Sequence, residues 1–281
     1  MKVEPEATTL AALLAEAYAC QLARLDAETL LTHTLGIARA ILFAHPERSV
    51  AQADYRRVRA MFERRLAGEP LEYLIGRTAF HAIELDVEPG VLVPRDDTEC
   101  LVDAVLARTP LRAAHVLDLG TGSGAIALAL AHAQRDWRII AVDRSKAACT
   151  LAARNAQRLG LAAGVSVREG NWYAPVAGSI FDVVVSNPPY VAVDDPELDA
   201  TVRRFEPEDA LIAGADGLDA IRAILRDVPL RPGGLLAIEH GHRQGEAVRM
   251  LYRAHELDEI ETVSDLEGRP RATLGRRRGD G

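Results

Sequence analysis

The sequence of 281 residues predicts an α/β protein, in which a parallel sheet carries helices and follows a smaller helical region. Two observations support this prediction. After residue 98, short apolar segments rich in valine and isoleucine alternate with helical segments, as in β-α-β units. Before residue 75, apolar residues instead recur at the spacing of a helix.

The first third of the chain predicts several short helices. Apolar residues at 10–22 have helical spacing, and a second helix is expected to begin at Asp26 as its N-cap and to stop at Gly36. Ser49 and Gln52 resemble a capping box for a third helix. These helices contain no recognisable catalytic group of side chains.

Between residues 73 and 93 the apolar spacing changes to alternation, which predicts a β-hairpin. The alternating residues are Phe80, Ile83, Leu85, Val87, Val91 and Val93, with the turn expected at Glu88-Pro89-Gly90. The expected domains are therefore a helical domain at 1–75, a hairpin linker at 76–97 and an α/β domain at 98–281. Further along, a long polar segment at 191–216 is typical of a substrate lid.

A glycine loop, Gly120-Thr121-Gly122-Ser123-Gly124, lies between the apolar strand 116–119 and a helix at 125–134. Backbone N–H groups at such a helix N-terminus face a bound cofactor. The glycines alone also satisfy the loose dinucleotide fingerprint, so they leave a nicotinamide cofactor possible. Asp118 favours another ligand, because a carboxylate at the strand end repels a pyrophosphate but suits a cationic amino group. S-adenosyl-L-methionine has such a group.

Two further strand ends supply candidate cofactor contacts. Strand 138–142 ends at Asp143, which could accept hydrogen bonds from ribose hydroxyls or could instead be a helix N-cap. The strand at 165–168 leads to Asn171 and Trp172. Asn171 could meet an adenine edge, and Trp172 could line the pocket or simply belong to the core.

The most specific pattern is Asn187-Pro188-Pro189-Tyr190, which ends the apolar strand containing Val183–Val185. The prolines fix the backbone direction, so the Asn187 side-chain oxygen and the Pro188 carbonyl can accept both N–H groups of a planar NH2. Tyr190 offers a ring that can stack on that plane. Amide nitrogens are poor nucleophiles, and such a grip aims the nitrogen at an electrophile. The alternative is a proline-rich turn after a core strand.

Seven segments together resemble the family of glutamine N5-methyltransferases that modify class I peptide release factors (the PrmC/HemK family). The segments are Arg24–Glu28, Arg65–Leu74, Leu92–Glu99, Asp118–Gly124, Asn187–Tyr190, Arg204–Pro207 and Glu239–Gly241. The resemblance covers nearly the whole chain. It implies a seven-stranded Rossmann-like class I methyltransferase domain, preceded by a small all-helical domain that docks the protein substrate and by the linking hairpin. The alternative for the helical domain is a stabilising cap.

The resemblance also implies roles for individual residues. S-adenosyl-L-methionine would contact Gly120, Thr121, Gly122, Ser123, Gly124, Asp143, Trp172 and Asn187. The glutamine of a Gly-Gly-Gln motif would be held by Asn187, Pro188, Pro189 and Tyr190, of which Asn187, Pro188 and Tyr190 would be catalytic. The sequence departs from the family pattern at Asp96, where proline is usual, and at Asn171, where an acid is usual.

Three other functions remain as alternatives. A ribosomal-protein glutamine methyltransferase is the nearest, although the stretch 94–99 favours the release-factor type. An N6-adenine methyltransferase acting on nucleic acid uses the same acceptor signature, and a non-catalytic binding module is the third. The net charge of −8 argues against a broad footprint on duplex DNA.

Composition sets the remaining expectations. Cys20, Cys100 and Cys149 lack disulfide or metal spacing, and no run of 18 apolar residues or export signal is evident, so we expect a cytoplasmic protein. The Glu239-His240-Gly241-His242 segment lacks a third ligand at a suitable spacing, so no metal is expected. We also expect a monomer with no membrane or nucleic-acid partner.

Overall fold

A computed structural model describes residues 8–279 of the chain. It divides into two compact units, and the division falls between Gly76 and Arg77. Within the described residues, the helices are too short or too polar to cross a membrane.

The first unit is a helical unit with one short pair of strands. Its elements are β1 (Thr8–Thr9), α1 (Leu10–Ala19), α2 (Arg24–Leu35), α3 (Arg39–Ala44), β2 (Ser49–Val50), α4 (Gln52–Leu66) and α5 (Leu71–Ile75). The core lies between these helices and includes the fully buried side chains of Leu13, Leu30, Leu31 and Val58. The helices are amphipathic, as their apolar spacing predicted.

Two predicted helix starts in this unit are wrong. Helix α2 begins at Arg24, which places Asp26 inside the first turn, where its carboxylate accepts a hydrogen bond from Arg65 Nε at 2.7 Å. Ser49 does not cap α4, because its backbone pairs with Thr9 in the β1–β2 pair. The predicted stop of α2 at Gly36 is confirmed, since this glycine has the left-handed φ of +63°.

The second unit opens with a hairpin of β3 (Arg77–Phe80) and β4 (Ile83–Asp86). The two residues between the strands form the hairpin turn. The chain also turns at Glu88-Pro89-Gly90, where the Val91 N–H donates to the Glu88 carbonyl at 3.3 Å, but this turn does not join the two strands, so its predicted place in the hairpin is wrong. Val91 and Val93 are buried as expected, but they belong to an irregular segment rather than to a strand. The alternation of apolar residues correctly predicts burial here. Whether such a segment also forms a strand depends on whether another strand pairs with it.

The rest of the second unit alternates strands and helices. The strands are β5 (His115–Leu119), β6 (Arg138–Asp143), β7 (Val165–Glu169), β8 (Phe181–Ser186), β9 (Leu230–Glu239), β10 (Leu257–Ser264) and β11 (Pro270–Arg277). The helices are α6 (Glu99–Arg108), α7 (Ala125–Ala133), α8 (Lys146–Arg158), α9 (Ala200–Phe205), α10 (Asp219–Leu225) and α11 (Gly245–Ala254).

These strands form one seven-stranded sheet in the order β10-β11-β9-β8-β5-β6-β7. Neighbouring strands from β9 to β7 are parallel, and β11 runs antiparallel to both β9 and β10. The predicted α/β class with a seven-stranded sheet is therefore confirmed. Because β9, β8, β5 and β6 are parallel, their carboxyl ends meet at one edge of the sheet.

Helices cover both faces of this sheet, which explains why its central strands carry apolar residues on both faces. Val116 and Val183 point to the face that contains residues of α6 and α7. Leu117 and Val184 point to the opposite face, which packs against α10 and α11. All six residues of β8 are buried, so the chain that follows this strand starts from a fixed position.

The turn from β5 to α7 depends on glycine. Gly120, Gly122 and Gly124 have φ angles of +70°, +57° and +88°, a region that residues with a side chain rarely adopt. A Cβ atom at Gly124 would also lie 2.9 Å from Leu128 Cδ1 and 3.3 Å from Ala152 Cβ. Glycine at this position therefore allows both the turn and the close packing of α7.

We predict that Gly124→Ala lowers the free energy of unfolding by about 2–4 kcal/mol, because the left-handed backbone strain adds to the overlap with Leu128. Gly178→Ala is the matched control, since Gly178 has a φ of +78° and a Cβ added there would meet no atom within 4 Å. The control should cost about 1 kcal/mol from strain alone. Urea unfolding of both variants tests the prediction, and equal losses would contradict it.

Candidate active site

A cavity of about 770 Å³ lies at the edge of the sheet where the carboxyl ends of the parallel strands meet. Its wall includes nine residues singled out from the sequence, namely Gly120, Thr121, Gly122, Ser123, Asp143, Asn171, Trp172, Asn187 and Pro189. Gly124, Pro188 and Tyr190 are not on this wall. The cavity is large enough for a nucleoside-sized ligand.

The glycine loop is fixed onto the end of β6. The Gly120 and Thr121 N–H groups donate to the Val142 carbonyl at 2.8 and 3.0 Å. The Gly122 N–H donates to Asp143 Oδ2 at 2.9 Å. The loop thus approaches the cavity with its backbone already hydrogen-bonded, so its shape is set by the protein rather than by a ligand.

Asp118 lies fully buried beneath this loop and does not reach the cavity wall. Its Oδ2 accepts a hydrogen bond from Thr121 Oγ1 at 2.6 Å, and Oδ1 has no hydrogen-bond partner among the described residues. Burial raises the pKa of this carboxyl to about 7, against the opposing effect of the Thr121 hydrogen bond. Its charge would act on a cavity ligand through the loop rather than by direct contact.

Asp143 is partly exposed on the cavity wall. Its two oxygens accept hydrogen bonds from the backbone N–H groups of Ser145 at 2.8 Å and Gly122 at 2.9 Å. Ser145, not Asp143, is the N-cap of α8, so the N-cap interpretation of Asp143 is wrong. Each carboxylate oxygen still has an unused lone pair for a ligand hydroxyl.

Asn171 and Trp172 follow β7 and both line the cavity. Asn171 is exposed, whereas Trp172 is half-buried and also packs against the core cluster around β8. The pocket and core interpretations of Trp172 therefore both hold. Trp172 has a φ of +45°, unusual for a residue with a side chain and typical of constrained segments at binding sites.

The Asn187–Tyr190 segment leaves β8 with two free acceptor atoms. Asn187 Nδ2 donates to Thr98 Oγ1 at 3.0 Å, which points the amide nitrogen toward Thr98. No described residue donates a hydrogen bond to Asn187 Oδ1 or to the Pro188 carbonyl. Both atoms therefore lack a donor within the described residues, and their use by a ligand stays a prediction.

Tyr190 faces other partners. Its phenol donates to Glu239 Oε1 at 3.1 Å, and its backbone carbonyl accepts from Gln244 Nε2 at 3.0 Å. Burial raises the pKa of the phenol above its ordinary value, so the hydroxyl remains a donor at neutral pH. These contacts hold both the ring and the backbone of Tyr190.

Sequence reasoning assigned no role to Thr98 or Glu239, although both lie in segments that carry the family resemblance. It also missed the ion pair between Arg95, on the cavity wall, and the buried carboxylate of Glu206. Glu206 Oε2 additionally accepts from the Val93 N–H at 3.2 Å, so it connects two segments of the wall. Asp96, where the family usually has proline, begins a short 3₁₀ turn before α6.

The segment at 191–216 contains α9 and a bridge between Val191 and Ile212. Its second half, including Pro207 and Ala213, forms part of the cavity wall. The placement agrees with the predicted position of a lid beside the site.

Comparisons with known proteins agree with this architecture. Residues 8–76 match the family model described as "PrmC N-terminal domain", and residues 95–210 match "Methyltransferase small domain". A methyltransferase from Pyrococcus furiosus has a similar fold, with a TM-score of 0.51 and 17% identity over 79% of this chain and 98% of that one. A T. thermophilus 16S rRNA methyltransferase in complex with AdoMet and guanosine gives a TM-score of 0.50 and 18% identity, over 72% and 50% of the two chains.

Sequence relatives are much more similar than these structures. The release factor glutamine methyltransferase of Xylella fastidiosa (strain Temecula1) is 48% identical over 256 residues, covering 90% of this chain and 93% of that protein. The protein of the same name from Escherichia coli (strain K12) is 43% identical over 255 residues, covering 90% and 92%. The family expected from the sequence motifs is thereby confirmed. The chain belongs to the release factor glutamine methyltransferase family.

Proposed function

We propose that this chain transfers a methyl group from S-adenosyl-L-methionine to the side-chain amide nitrogen (N5) of the glutamine in the Gly-Gly-Gln motif of class I peptide chain release factors. The observation that carries the proposal is the pair of free acceptors, Asn187 Oδ1 and the Pro188 carbonyl, beside the glycine loop. Two acceptors on consecutive residues suit the two N–H groups of a carboxamide. Membership of the family supports the same substrate.

The residues around the cavity fit S-adenosyl-L-methionine. The glycine loop leaves room for the donor in the cavity. The carboxylates of Asp118 and Asp143 both place negative charge near this loop. A cationic ligand gains from this field, whereas a pyrophosphate would be repelled. We propose that Asp143 accepts from the ribose hydroxyls, Asn171 from the adenine edge, and that Trp172 packs against the adenosine. Once bound, the donor supplies an electrophilic methyl group on a positively charged sulfur.

The acceptor half of the site would aim a weak nucleophile. Asn187 Oδ1 and the Pro188 carbonyl accept the two N–H groups, and the rigid proline backbone holds them at a fixed angle. Pro189 contributes to the cavity wall. We propose that the ring of Tyr190, although it does not line this cavity, stacks against the amide plane. Positioning of this kind can supply about 7–11 kcal/mol toward the barrier.

No strong general base is required in this account. The nitrogen would form a bond to the methyl carbon as the carbon–sulfur bond of the donor breaks, leaving S-adenosylhomocysteine. The methylated amide cation is acidic enough to release one N–H proton to water. The acceptor oxygens favour the positive charge that develops on the nitrogen during the attack.

The second unit, from Arg77 onward, would carry the transfer, and the helical first unit would dock the release factor. We propose a cytoplasmic location, because the proposed substrate belongs to the translation machinery. That the protein is a monomer stays a prediction. The net charge of −8 supports a protein rather than a nucleic acid as substrate.

Methyl-labelled donor tests the substrate directly. The chain is incubated in parallel with an unmethylated class I release factor, ribosomal proteins and DNA, and the labelled product is mapped by peptide mass spectrometry. We expect label on the glutamine of the Gly-Gly-Gln motif. Label in DNA, in a ribosomal protein or in none of the samples would overturn the proposal.

Asn187→Ala should lower kcat by about 10²–10³-fold, because it removes an acceptor that holds the reacting nitrogen. The affinity for S-adenosylhomocysteine, measured by calorimetry, should fall only modestly. Asn171→Ala is the contrasting variant, and it should weaken that affinity more than it lowers kcat at saturating donor. An Asn187→Ala enzyme with native turnover and lost donor binding would contradict the assignment.

Donor affinity should depend on pH through Asp118. Its pKa is raised to about 7, so its ionised share increases with pH, from about one tenth at pH 6 to about three quarters at pH 7.5. We predict that S-adenosylmethionine binds about three- to tenfold more tightly at the higher pH, and that Asp118→Asn removes this gain. Asp136→Asn, a change at an exposed carboxylate, is the control. A pH dependence that survives in Asp118→Asn would contradict the prediction.

A further inference from the structure

The proposed mechanism gives no role to Glu239, the last residue of β9. Its side chain is fully buried at the edge of the sheet that carries the cavity. Strands β8 and β9 are neighbours, and Ser186 pairs with Ile238. Asn187 directly follows Ser186, and Glu239 directly follows Ile238. The buried carboxyl therefore lies close to the start of the acceptor motif.

Glu239 has one direct contact with the acceptor motif and one indirect link to it. The Tyr190 phenol donates to its Oε1 at 3.1 Å. The Thr98 hydroxyl lies against the same carboxylate and favours its ionised form, while Thr98 Oγ1 accepts from Asn187 Nδ2 at 3.0 Å. Glu239 is thus linked directly to Tyr190 and, through Thr98, to Asn187.

An ionised carboxylate can only accept hydrogen bonds, and this fixes the direction of every bond in the chain. Thr98 Oγ1 already accepts from Asn187 Nδ2, so its one hydrogen is free to turn toward the neighbouring carboxylate, whose Oε2 is buried without a hydrogen-bond partner among the described residues. Asn187 must then present its NH2 group to Thr98. Its Oδ1 is left as an acceptor, which is the orientation that the glutamine amide requires.

The carboxyl of Glu239 has no ion-pair partner among the described residues. Arg271 is the nearby cation, and its Nη2 instead contacts Asp97 at 2.9 Å and Asp265 at 3.0 Å. A buried acid without a direct cationic partner costs stability, so its presence calls for another reason.

We propose that Glu239 is a positioning residue for methyl transfer, which orients Asn187 through Thr98 and holds the ring of Tyr190 directly. This inference rests on the proposed function, since it names what keeps that acceptor site in its working orientation. Glu239 itself does not touch the glutamine or the donor.

A carboxyl in this role should make turnover depend on pH. Burial raises the pKa of Glu239 to about 7. The titratable groups around it lie on four elements. They are Asp97 in the turn before α6, Cys100 in α6, Tyr190 after β8, His240 directly after β9, and Asp265 with Arg271 on the β10–β11 hairpin. The thiol pKa is raised to about 12 and the phenol pKa is also raised, both by burial, while burial lowers the pKa of His240, so these three stay neutral near pH 7.

The sign of the effect follows from the direction of the hydrogen bonds. Below pH 7 Glu239 takes up a proton and becomes a donor, so Thr98 no longer has to donate to it and the Asn187 amide can turn around. With both substrates saturating, kcat should therefore fall by about tenfold from pH 8 to pH 6. Saturating donor separates this effect from the donor affinity governed by Asp118.

The test compares Glu239→Gln with the native protein, using the complete chain and a whole class I release factor. The carboxamide keeps the size of the side chain but adds a donor, so we expect kcat at pH 8 to fall by about 10–100-fold and its change near pH 7 to disappear. The Kd of S-adenosylhomocysteine should stay within about twofold of the native value. Glu246→Gln, an exposed change in α11, is the matched control.

A second pair of variants keeps the test valid if Glu239→Gln is unstable. Thr98→Val removes the hydroxyl that links Glu239 to Asn187 and should lower kcat, whereas Thr98→Ser should restore most of it. In the double variant of Glu239→Gln with Thr98→Val, kcat should be no lower than in the worse single variant, because both changes break one chain of contacts.

Two results would overturn the inference. One is a Glu239→Gln enzyme that keeps the native kcat and the native pH profile. The other is a loss of donor binding and thermal stability in parallel with kcat, together with failure of Thr98→Ser to restore turnover, since that pattern indicates a merely structural residue. If Asn187→Ala also left kcat unchanged, the proposed function itself would fail, so the two failures can be told apart.

Discussion

The site depends on two buried carboxyl groups that can only accept hydrogen bonds once ionised. Asp118 lies near the end of β5, and Glu239 lies at the end of β9. Strand β8 runs between those two strands, and Asn187 follows directly after it. One acid holds Thr121 in the glycine loop, and the other holds Tyr190 behind the acceptor motif. The parallel sheet brings the proposed donor and acceptor halves of the site to one edge, and each half contains one of these acids.

This arrangement costs stability at neutral pH. Burial raises the pKa of both carboxyls to about 7, well above the value of an exposed acid. The folded protein therefore binds these protons more tightly than the unfolded chain does, and their contribution to stability is lost as pH rises through about 7. Natural proteins accept such costs where a polar group is needed for function rather than for folding.

Sequence reasoning succeeded where the signal is local. The glycine loop and the Asn187–Tyr190 motif are short runs that the order of residues alone identifies, although partners elsewhere in the chain hold them in place. It failed where distant partners decide: Ser49 pairs with Thr9 instead of capping α4. Thr98 and Asn187 are 89 positions apart, and Tyr190 and Glu239 are 49 apart, so no spacing rule could pair them. The depth of Asp118 beneath the loop is likewise a property of the packed sheet.

The central claim is that Asn187 and Pro188 grip the carboxamide of the glutamine through their oxygens. A crystal structure of the chain with S-adenosylhomocysteine and a peptide containing Gly-Gly-Gln tests it most directly. The account predicts that the glutamine nitrogen lies within hydrogen-bond distance of both Asn187 Oδ1 and the Pro188 carbonyl. A glutamine bound elsewhere in the cavity, or one whose oxygen faces these two acceptors, would contradict it.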